Sequence, residues 1–249
     1  MSATEAFFAS RSMQALEVLA FGPSTATQVA DELQVHPRTA RRLLNRMVHD
    51  GWLIRRDGPR PTYTPTMRIV ALAAQLAQRA PLVRLAHELA ADLHARTGEA
   101  VHLAVPSYRS ALRLVRATGR PGSEPALRDL APAHAIAAGK LLLAFRDPWR
   151  EVVLAAAPLP AVTDRTLVDP GALRADLGAA RERGYALEDG EFRAGGRAVA
   201  VPVRDEAGDV VAALALSSAA APLDALLERS GALTAAGDEL SRRLAREAA

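Results

Sequence analysis

The sequence predicts an α+β fold in two domains, and three observations point to it. Residues 12–64 carry three apolar stripes at helical spacing and then two short strand-like runs. Residues 67–97 read as two successive helices, the first suited to join two domains. From residue 100 onward strand-like and helix-like segments alternate, and two pairs of strands are joined by tight turns, which favours antiparallel pairing. A chain of 249 residues that is 49% hydrophobic is long enough for two ordinary cores.

Ser12 to Phe21 places Met13, Leu16, Val18, Leu19 and Ala20 at helical spacing, and Gly22-Pro23 stops the run. Ser24 or Thr25 can cap a second helix reaching Leu33, with Val29, Ala30 and Leu33 inward. Gln34-Val35-His36 is a short turn. Pro37 suits the first turn of a third helix, because its missing N–H has no partner there in any case. That helix runs to about Asp50 with Ala40, Leu43, Leu44 and Met47 buried, and Gly51 ends it as a left-handed cap. Trp52 to Arg56 and Thr62 to Thr64 are strands around an Asp57-Gly58-Pro59 turn. Three helices and a hairpin in this order form a winged helix-turn-helix, assigned to residues 1–66.

The Met67–Arg79 helix is read as a linker, 67–80, and Pro81 begins the next helix, which Gly98 ends. The second domain, 81–249, follows. Ala100–Val105 and Ala111–Thr118 are strands joined by Pro106-Ser107-Tyr108. Residues 119–131 read as a loop. Helices are expected at His134–Phe145, Trp149–Ala157 and Pro170–Arg183. Ala198–Arg204 and Val210–Ser217 form a hairpin around Asp205-Glu206-Ala207-Gly208. Leu223–Arg246 closes the chain as one helix, or two broken at Gly231.

Composition removes several classes of function. There is no cysteine, which excludes disulfides, thiolate catalysis and cysteine-ligated metal. No run of eighteen apolar residues occurs and the N-terminus lacks the pattern of a signal peptide, so a cytoplasmic protein with no membrane span is expected. Gly139-Lys140 is not a phosphate loop: His134 stands where glycine is needed and Leu141 where Ser or Thr is needed. Lys140, the single lysine, is expected to pair with an acid or cap a carbonyl. The histidines lack metal-ligand spacing, and His102 and His134 are read as core or capping residues. Glu188, Asp189 and Glu191 have no matching base or nucleophile and are read as a solvated loop; Tyr108 and Trp149 are read as core or interface. Neither a metal nor a cofactor is expected, and no catalytic constellation is present.

Charge is informative through its placement. Between His36 and Arg60 stand seven arginines against Asp50 and Asp57, a larger excess than the +3 of the whole chain. Such a local field attracts phosphate. With the apolar stripe inward, the third helix presents His36, Arg38, Thr39, Arg41, Arg42, Asn45 and Arg46 outward. Arg38, Thr39 and Arg42 share one arc, suited to guanine edges and thymine methyls in a major groove. Arg46 lies where the helix leaves the groove, and Arg55, Arg56 and Arg60 on the hairpin can meet phosphate or the minor groove. Double-stranded operator DNA is the expected partner. The competing reading is a charged solvent face on an ordinary bundle.

Two C-terminal stretches, LAPAHAIAAGKLLLAF (130–145) and GYALEDGEFRAGGRAVAVPVRDEAGDVVAALALSS (184–218), together with the N-terminal elements, resemble the IclR family of bacterial transcriptional regulators. The resemblance implies a GAF/profilin-like effector-binding α/β domain with a curved antiparallel sheet, a small-molecule effector, and a homodimer or homotetramer. It also implies a regulator that is not an enzyme, with repression the expected sign. By position it assigns the effector to Ala137, Ala138, Asp189, Gly196, Ala198, Ala215 and Ser217. Two positions depart from the family pattern. Ala198 stands where a cysteine is frequent, and Ala215 where some members carry serine. Both remove polar groups, so the effector is expected to be more apolar than glyoxylate or pyruvate. The alternative is a ligand-independent regulator or oligomerisation protein. The small residues Ala135, Ala137, Ala138 and Gly139 suit either a ligand at a helix N-terminus or close helix packing on the sheet.

Overall fold

A computed structural model of the chain describes residues 3–20, 22–118, 130–155 and 157–248. It divides into two compact units, Met1–Arg79 and Ala80–Ala249.

In the first unit, helices α1 (Ala3–Leu19), α2 (Ala26–Leu33) and α3 (Pro37–His49) pack around Leu19, Val29, Leu33, Leu44 and Met47. Strands β1 (Ser24–Thr25), β2 (Leu53–Arg56) and β3 (Thr62–Pro65) form an antiparallel sheet in the order β1-β3-β2. The two-residue strand β1 escapes sequence periodicity because it is too short to show one. Thr25 ends it and caps α2: its Oγ1 accepts from Gln28 N at 3.3 Å, while Gln28 Oε1 accepts from Thr25 N at 2.9 Å. This reciprocal box satisfies two otherwise orphaned donors. Gly51 has φ +77°, a left-handed conformation that favours glycine. Helix α4 (Met67–Gln78) follows. Arg68 donates to Asp50 O at 2.8 Å and lies 4.3 Å above the Trp52 ring, fastening the start of α4 to the end of α3.

The second unit is one six-stranded antiparallel sheet, β6-β5-β4-β9-β8-β7. Its strands are β4 (Ala100–Ser107), β5 (Ser110–Ala117), β6 (Leu130–Pro132), β7 (Ala186–Asp189), β8 (Arg197–Arg204) and β9 (Val210–Ser218). Helices α5 (Pro81–Thr97), α9 (Leu223–Glu228) and α10 (Ser230–Ala248) cover one face. Helices α6 (Ala137–Phe145), α7 (Asp147–Leu154) and α8 (Pro170–Arg183) lie on the other. Successive strand residues point to opposite faces, and the two faces differ in kind. Val101, Leu103, Val199, Val201, Leu214 and Leu216 fill the α5–α10 side. Ala104, Ala198, Ala200, Ala213 and Ala215 face α6. The short side chains leave room on that side.

Several expectations are corrected. Of the expected 119–131 loop, residues 119–129 lie outside the described residues, and its end, Leu130–Pro132, is strand β6 paired with β5. The turn after β4 is Tyr108-Arg109, with Tyr108 at φ +52°, because pairing with β5 extends β4 to Ser107. Tyr108 is 74% exposed rather than core, a consequence of its place at the hairpin tip. The helix expected from His134 is a 3-10 turn, Ala133–Ala135, then extended Ile136, then α6. The next helix starts two residues early, at Asp147, because Pro148 fits a first turn. The closing helix breaks at Arg229, which caps α9, and not at Gly231, which sits inside α10 without a positive φ.

Candidate functional site

Two surfaces carry the chemistry, one in each unit. In the first unit, α3 buries Ala40, Leu43, Leu44 and Met47 and turns the opposite side outward. His36, Arg38, Arg41, Arg42 and Arg46 are exposed and Thr39 is half-buried; all but Arg46 line one shallow concavity. His36 is also the N-cap of α3, its Nδ1 accepting from Arg38 N at 3.2 Å. Arg46 Nε lies 3.1 Å from Asp50 Oδ2, so part of its charge is answered within the helix. Asn45 lines the same concavity, and its Oδ1 accepts from Tyr63 Oη at 3.0 Å, which ties α3 to β3. A second concavity brings Thr25 of β1, Gln28 of α2 and Arg41 of α3 beside Arg55 and Arg60 of the hairpin. Arg55 lies 3.0 Å from Asp57, and Arg56 is exposed.

In the second unit, the alanine face of the sheet and the start of α6 enclose a cavity of about 110 Å³. Ladder register sets its floor. Across β4, β9, β8 and β7, one row reads Ala100, Ser217, Ala198, Glu188, and the next reads His102, Ala215, Ala200, Ala186. Ala137, Ala138, Gly196, Ala198, Ala215 and Ser217 all line the cavity. Asp189 does not. Strand alternation points Glu188 to the α6 side, and Asp189 instead meets Arg165 at 2.6 Å and Arg197 at 3.2 Å. Glu188 is therefore the acid of the lining, and it is buried, as is Glu191; neither belongs to a solvated loop. The expected loss of polar groups at Ala198 and Ala215 is offset by His102, Arg113, Glu188, Arg193 and Arg197, which also line the cavity.

The small residues of α6 divide between the two uses. A Cβ on Gly139 would stand 2.2 Å from Ala133 O, so this glycine serves close packing against the 3-10 turn. Ala137 and Ala138 border the cavity, and no side chain caps the helix they begin. Its first N–H groups and the positive end of its dipole are available to an anion.

Burial controls the titration of this region. His102, 7% exposed, has its pKa lowered to about 3 by desolvation, with Arg113 and Arg116 adding to it. It is neutral at physiological pH, and its Nε2 lies 2.7 Å from Ser217 Oγ. Glu188 is pushed up to about 7, first by desolvation, with the Phe192 N–H opposing. Behind it, Lys140 is only 1% exposed. Its Nζ lies 2.6 Å from Glu191 Oε1 and 3.1 Å from Asp176 Oδ2, which joins α6 to α8 and to the turn after β7. Burial raises the Glu191 pKa, and Lys140 opposes the rise. His134 Nε2 lies 3.0 Å from Pro160 O, and burial lowers its pKa. Among the described residues no three or more His, Asp or Glu side chains come together in a metal-binding group, and no helix is long and apolar enough to cross a membrane.

Sequence reading missed His102, Arg113, Glu188, Phe192, Arg193 and Arg197 as lining. A signal existed for two of them. His102 interrupts an otherwise apolar strand, and Glu188 lies on the inward side of β7 once that strand is recognised.

Comparison with known proteins agrees with this architecture. Residues 74–242 match the family model described as the bacterial transcriptional regulator IclR C-terminal domain. The HTH-type transcriptional regulator BhcR of Paracoccus denitrificans is 31% identical over 217 residues, covering 83% of this chain and 75% of that protein. The transcriptional repressor IclR of Escherichia coli is 28% identical, covering 79% and 73%. A solved IclR-type regulator from a Silicibacter species superposes with a TM-score of 0.79 at 26% identity, covering 96% of each chain. An IclR homologue from Microbacterium hydrocarbonoxydans, complexed with 4-hydroxybenzoate, gives 0.75 at 29% identity, covering 95% and 98%.

Proposed function

Because the chain belongs to the IclR family of bacterial transcriptional regulators, we propose that it binds operator DNA through the first unit and a small organic acid in the cavity of the second. The exposed cationic face of α3 carries the DNA half of this reading. In the winged helix-turn-helix formed by α1 to β3, α3 enters the major groove, where Arg38, Thr39 and Arg42 meet base edges. Arg41 and Arg46 meet phosphates, His36 orders the start of the helix, and Arg55 and Arg56 extend the contact along the backbone or minor groove.

The cavity carries the effector half. At about 110 Å³ it is below the range of drug-sized pockets, roughly 300–1,000 Å³. The uncapped start of α6 favours a carboxylate, and a solved relative holds 4-hydroxybenzoate. Its polar lining favours a working effector site over one that has lost its ligand.

The active form is a homodimer or a pair of dimers. Helix α4 buries none of its residues, and Met67, Val70, Leu72 and Leu76 stay exposed on more than one side of it. Exposed aliphatic side chains on a helix are stabilised when covered, and a second copy of α4 is the occupant proposed. The protein acts as a cytoplasmic repressor that the effector releases from its operator.

Duplexes tiled across the DNA upstream of the coding gene test the reading by fluorescence anisotropy. One tile is expected to bind in the range of about 10⁻⁸ M or tighter, and Arg42→Ala is expected to weaken that binding by about 1–3 kcal/mol. Equal affinity for every tile would refute sequence-specific regulation. Unchanged affinity of Arg42→Ala would remove Arg42 from the reading face.

A further inference from the structure

We propose that an anion entering the cavity of the second unit makes Glu188 take up a proton, so that pH sets how tightly the effector binds. This rests on the cavity being the effector site and names a second input to it.

Glu188 stands where an anionic occupant meets it. It belongs to the ladder row Ala100, Ser217, Ala198, Glu188, on the side of the sheet that faces α6. It lines the cavity together with Ala137 and Ala138 at the uncapped start of α6 and with Arg113, Arg193 and Arg197, a setting that draws an anion in. A round cavity of about 110 Å³ is about 6 Å across, so the charge of an occupant lies close to every lining group. A like charge within about 4–6 Å disfavours ionisation of a carboxyl, and so does loss of water around it. Glu188 is already buried, and the hydrogen bond its Oε1 accepts from Phe192 N is a long one, 3.3 Å. Burial, the chief cause, pushes it up to about 7, against the opposing Phe192 N–H, Lys140 and Arg113. An anion in the cavity drives it further the same way, by displacing water and by adding negative charge.

The neighbours of Glu188 leave that direction unchanged. Around it stand Lys140 of α6, Asp176 of α8, His102 of β4, Arg113 of β5, Glu191 and Arg193 of the turn after β7, and Arg197 of β8. Arginine keeps its charge in proteins, so the field of the three arginines is present before and after binding. An added carboxylate raises Glu188 from whatever level that field sets. His102 is neutral throughout, its pKa lowered to about 3 by burial, and adds no titration near pH 7. Lys140 Nζ lies 2.6 Å from Glu191 Oε1 and 3.1 Å from Asp176 Oδ2, so its charge is shared between those two acids. Below about pH 6 Glu188 holds its proton with or without a ligand, and binding moves none. Above about pH 7 the carboxyl is ionised in the free protein and gains a proton from solvent as the anion binds, so affinity falls as pH rises.

Isothermal titration of the full chain in buffers of different ionisation heat counts the protons taken up per anion bound. The probes are propionate, benzoate, 4-hydroxybenzoate and terephthalate, whose carboxyl groups are ionised in solution above about pH 6. For the probe that binds most tightly, the count is expected to rise from under about 0.2 at pH 6 to about 0.5 at pH 7 and at least about 0.6 at pH 8. Its affinity is expected to fall about fivefold or more over the same range. With Glu188→Gln the count at pH 8 is expected to stay under about 0.2, and the affinity to change less than about twofold between pH 6 and pH 8. A wild-type count under about 0.2 at pH 8 overturns this inference and leaves the cavity as an effector site. So does a count that persists in the glutamine variant, which assigns the proton to another group. If that variant fails to fold, Glu188→Ala takes its place and the wild-type count still decides. Binding by none of the four anions overturns both readings.

Discussion

Glu188→Gln isolates the consequence of burying an acid in the cavity wall. The carboxyl keeps its proton to about pH 7, against an ordinary 4.5, chiefly because burial disfavours the charged form. Below pH 4.5 the acid is protonated folded and unfolded, and ionisation costs nothing. Between 4.5 and 7 the unfolded chain ionises and the folded chain does not, so stability falls as pH rises. Above 7 the full cost remains. At roughly 1.4 kcal/mol per pH unit between the two values, that cost is about 3 kcal/mol. Glutamine is neutral at every pH, and its amide oxygen can still accept from the Phe192 N–H that now meets Glu188 Oε1. The variant is therefore expected to exceed the wild type by about 3 kcal/mol at pH 8 and by less than about 1 kcal/mol at pH 5. With Trp52→Phe as background, Trp149 is the remaining tryptophan and reports on the second unit during urea unfolding. A difference between variant and wild type that does not change with pH would refute the reasoning.

Three further changes probe other links. Lys140→Ala leaves buried Glu191 and half-buried Asp176 without their shared cation, and a loss of about 3–5 kcal/mol is expected in urea titration; a loss under 1 kcal/mol would mean that water reaches the pair. Gly139→Ala drives a Cβ into the Ala133 carbonyl. It is expected to lower stability by at least about 1–3 kcal/mol, and unaltered thermal unfolding would show that the 3-10 turn gives way freely. Arg55→Ala is expected to reduce the slope of log affinity against log salt by about one without changing base preference. An unchanged slope would argue that Asp57, 3.0 Å away, already holds Arg55 off the phosphate.

Much of the first unit was legible because its signals are local. The stripe Ala40, Leu43, Leu44, Met47, the proline that opens α3 and the glycine that closes it all act within a few residues of chain, where spacing shows directly. Arginine placement followed from the same stripe, since the side opposite a buried face is an exposed one. The elements that escaped are those whose reason is distant. Strand β6 exists because it pairs with β5, and β7 because it pairs with β8. Neither run is long enough to display a period of two.

The sequence alone thus determined where the helices of the first unit run, where the cations gather and which family pattern the chain repeats, because helix period, capping and charge are properties of neighbouring residues. Only the tertiary structure decided what the cavity contains. Ladder register sets His102, Ser217, Ala198 and Glu188 on one face although they come from four separate strands. Burial then holds the histidine neutral and keeps the glutamate protonated to about pH 7. Solvation of a side chain depends on everything packed around it, and no local pattern encodes that.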